Sequence, residues 1–268
     1  ARLYAGADRG EGGIGLPDRD YYFNTDERTS KIRAAYPAYV AKVLTLIGHD
    51  QATAATKAGA IVALETELAK ASRTLEDLRD PYANYNKMAT TQLSSLTPGI
   101  DWARHVQEMG AGKADSIIVG QPEFYSQLGQ VLNKTDIQTL RDYMSYHLVR
   151  TYAPYLHKAV SDANFDFYSR QIRGAKEQKP RWKRVLDAEE DAIGDALGQL
   201  FVTEYFDATA KKRYEDMVEN VRNAYKARIH QLDWMSDSTK QKALSKLAAI
   251  KKKVGYPEKW KDFSSLNV

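Results

Sequence analysis

The sequence predicts a mainly α fold, a multi-helix chain with little or no β-structure. Apolar residues recur at i, i+3, i+4, i+7 through most of the chain beyond Asp26, the period of helices that bury one face. Residues suited to capping separate these stretches. Only one short β-branched run, Ser116-Ile117-Ile118-Val119 before Gly120, reads as a strand.

In chain order, residues 1–25 form an irregular glycine-rich segment, because Gly6, Gly10, Gly12, Gly13, Gly15 and Pro17 favour turns over periodic structure. Residues 26–268 form a helical domain. Its first helix spans Asp26 to Ile47 with Ile32, Tyr36, Tyr39, Val40, Val43 and Ile47 on one face, and Pro37 is expected to kink it. Gly48 stops it, and Asp50 caps a helix from Gln51 to Ser72 with Ile61, Leu64 and Leu68 inward. Arg79-Asp80-Pro81 breaks the pattern, and shorter pieces follow to Gly112. Pro122 opens a helix to Leu132, and Thr135 caps another. In that helix Ile137, Leu140, Met144, His147, Leu148 and Tyr152 share a face, with a kink at Pro154. Further helices are expected over 181–200, 207–232 and 238–254. The last carries lysines on a solvated face and Leu244, Leu247 and Ile250 on a buried one. Seventeen tyrosines, mostly at helical spacing, place rings inward and hydroxyls at polar boundaries.

Composition excludes several function classes. The chain has 268 residues, enough to bury about three quarters of its unfolded surface without covalent staples. Its longest aliphatic run, Ala60-Ile61-Val62-Ala63-Leu64, is far short of the roughly 20 residues of a membrane span. No amino-terminal apolar stretch has the pattern of a secretory signal. Lys and Arg number 39 against 35 Asp and Glu, a net of +4, too mild to call for nucleic acid as a partner. The absence of cysteine excludes disulfides, thiolate nucleophiles and sulfur-ligated zinc.

No complete catalytic constellation emerges from the residues, and no catalytic, cofactor-binding or metal-ligating residue is assigned. Gly10-Glu11-Gly12-Gly13-Ile14-Gly15 matches G-x-G-x-x-G by letters. The dinucleotide motif needs a strand before it and a helix opening at the last glycine, whereas Leu16-Pro17 follows here. Phosphate-binding loops and nucleophile elbows are absent. No two of His49, His105, His147, His157 and His230 stand at i, i+4, so no helix presents the paired imidazoles of a zinc protease. Asp101 and His105 share a helical face as an orienting contact at a helix start. Glu189, Glu190 and Asp191 point to different faces and read as solvated. Arg79-Asp80 beside Tyr85-Asn86 suits a buried junction between helices, with a substrate cleft as the competing reading.

Several segments, in order, resemble the M13 family of zinc metallopeptidases, the neprilysin and endothelin-converting-enzyme group with its bacterial oligopeptidases. Gly13-Ile14-Gly15-Leu16-Pro17-Asp18-Arg19-Asp20-Tyr21-Tyr22 resembles that family's G-[LI]-G-L-P-D-R-D-Y-Y at every position. Leu78-Arg79-Asp80 with Tyr85-Asn86-Lys87-Met88 resembles its R-D and Y-N-x-M elements, and Pro180-Arg181-Trp182 its P-R-W. Leu197-Gly198-Gln199-Leu200-Phe201-Val202 with Phe206 is similar to L-G-x-L-[YF]-V and its following Phe. Trp234-Met235, Thr239-Lys240, Ala243, Lys246-Leu247 and Gly255-Tyr256-Pro257 resemble the closing series of the region.

The resemblance covers a middle portion of a family member. The family's N-A-[FY]-Y element, H-E-x-x-H, E-x-x-x-D and late histidine have no counterpart here, and Asn223-Ala224-Tyr225-Lys226 echoes the first by letters only. The resemblance implies the helical, lid-like second domain of a zinc metalloendopeptidase, limiting substrates to short peptides. Zinc would be bound by a part of the protein not present in this chain, so the chain alone is expected to be inactive. The implied partners are peptide substrates and the catalytic domain of the same protein, possibly as a separate chain. The implied location is extracytoplasmic, and the lack of cysteine points to a bacterial member. The competing reading is a zinc-free helical domain that binds peptides or scaffolds a partner.

Overall fold

The computed structural model describes residues 2–3 and 12–266. The chain divides into two compact units, Ala1–Gln178 and Lys179–Val268. No helix among the described residues is long and apolar enough to cross a membrane.

The amino-terminal unit is built on a helical hairpin. After α1 (Asp20–Phe23), α2 (Glu27–Leu46) and α3 (Gln51–Ala71) pack along their lengths. Asp26 and Asp50 cap them, each carboxylate accepting the backbone N–H three residues on at 2.9 and 3.0 Å. Between them Gly48 takes φ +106°, a left-handed turn that ends α2. Pro37 leaves α2 a single helix. Fully buried Tyr36 and Val40 flank it, and their packing outweighs the hydrogen bond proline cannot make.

A small sheet and short helices follow. β1 (Arg2–Leu3) runs parallel to β3 (Ser116–Val119), and β2 (Asn86–Ala89) runs antiparallel to it, in the order β1-β3-β2. Ile117 and Val119 are the buried face of β3. Asn86-Lys87-Met88-Ala89 has weak strand propensity, so pairing with β3 fixes β2. Between the strands lie α4 (Leu93–Leu96) and α5 (Trp102–Glu108).

α6 (Pro122–Lys134) starts on its proline as expected. α7 (Ile137–Tyr152) is capped by Asp136, whose Oδ1 accepts from Thr139 N at 2.9 Å, and Thr135 instead closes α6. Of the expected face of α7, Leu140 packs against the core and His147 is half-buried, while the rest turns outward. Ile137, Met144, Leu148 and Tyr152 are exposed, while Tyr146 is fully buried and Asp142 nearly so. Pro154 ends α7 in a 3₁₀ turn, Ala153–Tyr155, where a kink was expected. α8 (Lys158–Asn164) then runs into a π-helical stretch, Phe165–Ile172.

The carboxyl-terminal unit holds α9 (Arg181–Tyr205), α10 (Ala208–Gln231) and α11 (Asp237–Ala249). α9 runs past the expected Leu200 and bends at Ile193 (φ −134°, ψ 29°). On α11, Leu244 and Leu247 are only half-buried, and Ile250, just beyond it, is 54% exposed. The expected buried stripe is therefore incomplete.

The Arg79–Asp80 junction is also corrected. Both side chains are exposed, and the Asp80 carboxylate accepts from Tyr82 N and Ala83 N in a local turn. Arg73 makes the junction instead. Its guanidinium pairs with Glu123 and donates to Ala83 O at 2.9 Å, Asn84 Oδ1 at 3.0 Å and Gly120 O at 3.1 Å. Asp80→Ala should cost less than about 1 kcal/mol and Arg73→Ala about 2–3 kcal/mol. Urea titration checks both, and a larger loss for Asp80 would contradict this assignment.

Candidate functional site

The chemistry-bearing side chains of the amino-terminal unit converge on Glu65. On α3, Ile61, Leu64, Glu65, Leu68 and Ala69 form one buried stripe, so helical spacing carries a carboxylate into an apolar core. Glu65 is 0% exposed. An ion in that setting needs a donor at each oxygen. Tyr22 of α1 donates to Oε2 at 2.7 Å. Tyr36 of α2 donates to Oε1 at 3.0 Å, and His147 Nε2 of α7 lies 2.8 Å from the same oxygen.

The donors are themselves held. The Tyr22 oxygen accepts from Gly15 N at 3.1 Å and Leu16 N at 3.2 Å. Tyr36 and Tyr146 hydroxyls are 3.1 Å apart. With its own proton on Glu65, the Tyr36 oxygen accepts the proton of Tyr146. Tyr168, in the π-helical stretch, donates to Gly15 O at 2.7 Å, and Tyr143 donates to Gly13 O at 2.7 Å. The Arg150 guanidinium stacks 4.8 Å from the Tyr168 ring. The segment Gly13–Leu16 is thus tied on both of its backbone edges. Ile14 and Leu16 fill the core beneath it.

A second polar tie links α3 to α7, with Lys57 Nζ and Gln138 Nε2 donating to Asp142 Oδ1 at 2.7 and 3.0 Å. Beside the segment lies a mostly apolar cavity of about 280 Å³, walled by Gly13, Leu64, Leu68, Phe124, Leu140 and Tyr143. Three donors hold the Glu65 carboxylate, two at Oε1 and one at Oε2, and it has no access to solvent. The arrangement fixes a loop and presents no group poised to attack or protonate a substrate.

Burial raises the phenols of Tyr22, Tyr36, Tyr143 and Tyr146, and the Glu65 charge adds to the effect; burial alone dominates at Tyr39. The consequence has a sign. Unfolded tyrosines lose their protons near pH 10, whereas these hold them when folded. Their contribution is therefore whole below about pH 10 and falls above it, by up to about 1.4 kcal/mol per pH unit per phenol. Urea unfolding at about pH 9, 10 and 11 should show a steep loss, made shallower by Tyr39→Phe. A free energy flat across that range would contradict the reading.

The other sequence candidates stay apart. Asp101 caps α5 by accepting from Arg104 N at 3.0 Å, and His105 faces solvent one turn on. Glu189, Glu190 and Asp191 are exposed. Of the glycine pattern, Gly10 and Glu11 lie outside the described residues, and Gly12 to Gly15 lead into Pro17 and α1, not a phosphate-binding helix. Among the described residues no three His, Asp or Glu side chains come together as a metal would require. Sequence reasoning missed Glu65, Tyr146 and Tyr168. A charged residue at the centre of an apolar i, i+3, i+4, i+7 stripe was the available signal for Glu65.

Comparison with known proteins gives a consistent result. The family model described as Peptidase family M13 matches residues 7–257. An endothelin-converting enzyme homolog of Locusta migratoria is 30% identical over 259 residues, covering 92% of this chain and 35% of that protein. Neprilysin-3 of Drosophila melanogaster is 29% identical, with 92% and 33% covered. Among solved structures, the zinc metalloprotease Zmp1 of Mycobacterium tuberculosis in complex with an inhibitor superposes with a TM-score of 0.85 at 36% identity, over 94% of this chain and 38% of that one. PepO of Lactobacillus rhamnosis, at 22% identity and a TM-score of 0.79, shares the fold. The chain spans about a third of the length of the curated relatives it matches.

Proposed function

The chain belongs to peptidase family M13, and from that premise we propose that it is the helical, size-limiting part of a zinc metalloendopeptidase that cleaves short peptides. The observation that carries the reading is the near-complete superposition on a zinc metalloprotease of which the chain accounts for 38%. The described residues do not fit a zinc site, since the five histidines are dispersed and no acidic group completes a set. We therefore assign the metal to another part of such an enzyme and give the described residues of this chain no chemical step. Their task is mechanical. A carboxylate-centred network holding a loop to three helices makes a stiff wall, and a stiff wall sorts substrates by size before chemistry begins. We place the enzyme outside the cytoplasm, as the family resemblance implies.

A length series of one cleavable peptide tests this, using the complete polypeptide and this chain alone. The complete enzyme should cut short peptides, lose kcat/KM as length grows, and spare a folded protein whose denatured form it cuts. This chain alone should neither cleave nor bind zinc at one ion per chain. Equal cleavage of folded and denatured protein would remove the size-limiting role. Stoichiometric zinc on the isolated chain would overturn the assignment of the metal elsewhere.

A further inference from the structure

Two polar ties set the distance between α3 and α7. Lys57 Nζ meets Asp142 Oδ1 at 2.7 Å, and Glu65 Oε1 meets His147 Nε2 at 2.8 Å. A helix pair pinned in this way cannot close freely over the apolar side chains beside the ties. The cavity of about 280 Å³ lies there, with Leu64 and Leu68 of α3, Phe124 and Leu128 of α6, and Leu140 and Tyr143 of α7 among its walls. Gly13 completes the lining. Its φ is +93°, and a Cβ there would stand 2.9 Å from the Tyr143 hydroxyl and 3.1 Å from Leu68 Cδ1, so the loop backbone comes as near to these walls as only glycine can. Leu128, Leu140 and Tyr143 are half-buried, which leaves a small molecule a way in from solvent.

The walls select the chemistry of an occupant. No charged side chain among the described residues lines the cavity, and an ion brought into it would lose its hydration without gaining a partner. The Tyr143 hydroxyl spends its proton on Gly13 O at 2.7 Å, so it offers none to a ligand. Water needs about two to four polar partners in such a place and is a poor competitor. In size, about 150 Å³ of apolar space is enough for benzene, so this cavity has room for one aromatic ring carrying a short alkyl chain. We propose, independently of the peptidase reading, that the cavity between α3, α6 and α7 is a binding site for an uncharged, alkyl-substituted aromatic molecule. Its occupancy acts on the loop. Such a ligand touches Gly13 and Tyr143, which bond to each other, and Leu64, the neighbour of Glu65. The Tyr143 ring stands 4.4 Å from that of His147, which holds Glu65. Binding and closure of Gly13–Leu16 therefore favour each other.

Ethylbenzene is the probe, and phenylacetate, the same ring with a chain ending in a carboxylate, is its charged counterpart. Titrated into the 268-residue chain, ethylbenzene should bind with a Kd of about 0.1 mM. At about ten times that Kd it should raise the thermal midpoint by about 3 °C. Phenylacetate at the same concentration should move the midpoint by less than about 1 °C. Hydrogen exchange reads the loop, because the Gly15 and Leu16 amides donate to the Tyr22 oxygen. Both amides should exchange about tenfold more slowly with ethylbenzene bound, the factor by which that concentration disfavours opening. Leu128→Phe puts a ring of the chain's own into the cavity and should weaken ethylbenzene at least about tenfold. Leu128→Ala enlarges the cavity and should shift preference toward naphthalene by about tenfold, which decides the matter if the phenylalanine variant does not fold. Equal midpoint shifts with phenylacetate would exclude this cavity as the site, as would ethylbenzene and naphthalene affinities that neither Leu128 variant changes. A raised midpoint with unchanged exchange at Gly15 and Leu16 would keep the site and refute its hold on the loop.

Discussion

Gly15→Ala should be the most damaging single-methyl substitution in the amino-terminal unit, lowering stability by about 3 kcal/mol or more. A Cβ at residue 15 would lie 1.7 Å from the Tyr36 hydroxyl oxygen, 2.7 Å from its ring carbon and 3.0 Å from Glu65 Oε1. None of these can retreat cheaply. Tyr36 is 0% exposed, its ring packs 5.5 Å from Phe167, and its hydroxyl is bound to Glu65 and Tyr146. The loop cannot move outward either, because Tyr22 and Tyr168 hold the amide and the carbonyl of Gly15. Urea or thermal unfolding measures the loss. A change under about 1 kcal/mol would mean that the loop and Tyr36 are not in contact as described.

Glu65→Ala should cost about 3–5 kcal/mol, because it strands three buried donors and opens a void among them. Glu65→Gln separates the two effects. The Tyr22 oxygen already accepts two backbone N–H groups, so only the amide oxygen of a glutamine can face it. The amide NH₂ must then face Tyr36 and His147, where His147 can present an unprotonated Nε2 by changing tautomer. The glutamine variant should therefore lose about 1–2 kcal/mol, less than half the alanine loss. On the proposed size-limiting role, the alanine variant of the complete peptidase should also blur discrimination between short and long peptides. Equal losses for alanine and glutamine would show that the charge, and not the acceptor geometry, holds the loop.

Much of this molecule is written in local sequence. Asp26-x-x-Thr29 and Asp50-x-x-Thr53 state where α2 and α3 begin, Gly48 where the first stops and Pro122 where α6 opens. Each signal acts through the backbone of its nearest neighbours, so it needs no knowledge of the rest of the chain. The ordered run of short segments through Gly255-Tyr256-Pro257 pointed to the family in the same way, letter by letter.

What tertiary structure alone decided is which face of α7 turns inward, whereas α2 and α3 bury the apolar stripes their spacing predicts. On α7 the expected face runs through Ile137, Leu140, Met144, His147, Leu148 and Tyr152, yet only Leu140 and His147 of it turn inward, beside Tyr143 and Tyr146. The helix is turned this way because Glu65, set by the stripe of α3, takes His147 Nε2 at 2.8 Å, and Tyr36, which donates to Glu65, lies 3.1 Å from the Tyr146 hydroxyl. Satisfying a buried carboxylate outweighs the gain from covering a few aliphatic side chains. The same holds at the Arg79–Asp80 turn, where the letters marked a junction and a more distant residue, Arg73, makes it. Sequence by itself determined where the helices are, because capping and periodicity are local. It left open which groups meet, because a buried charge chooses its partners across 29, 43 and 82 residues of chain.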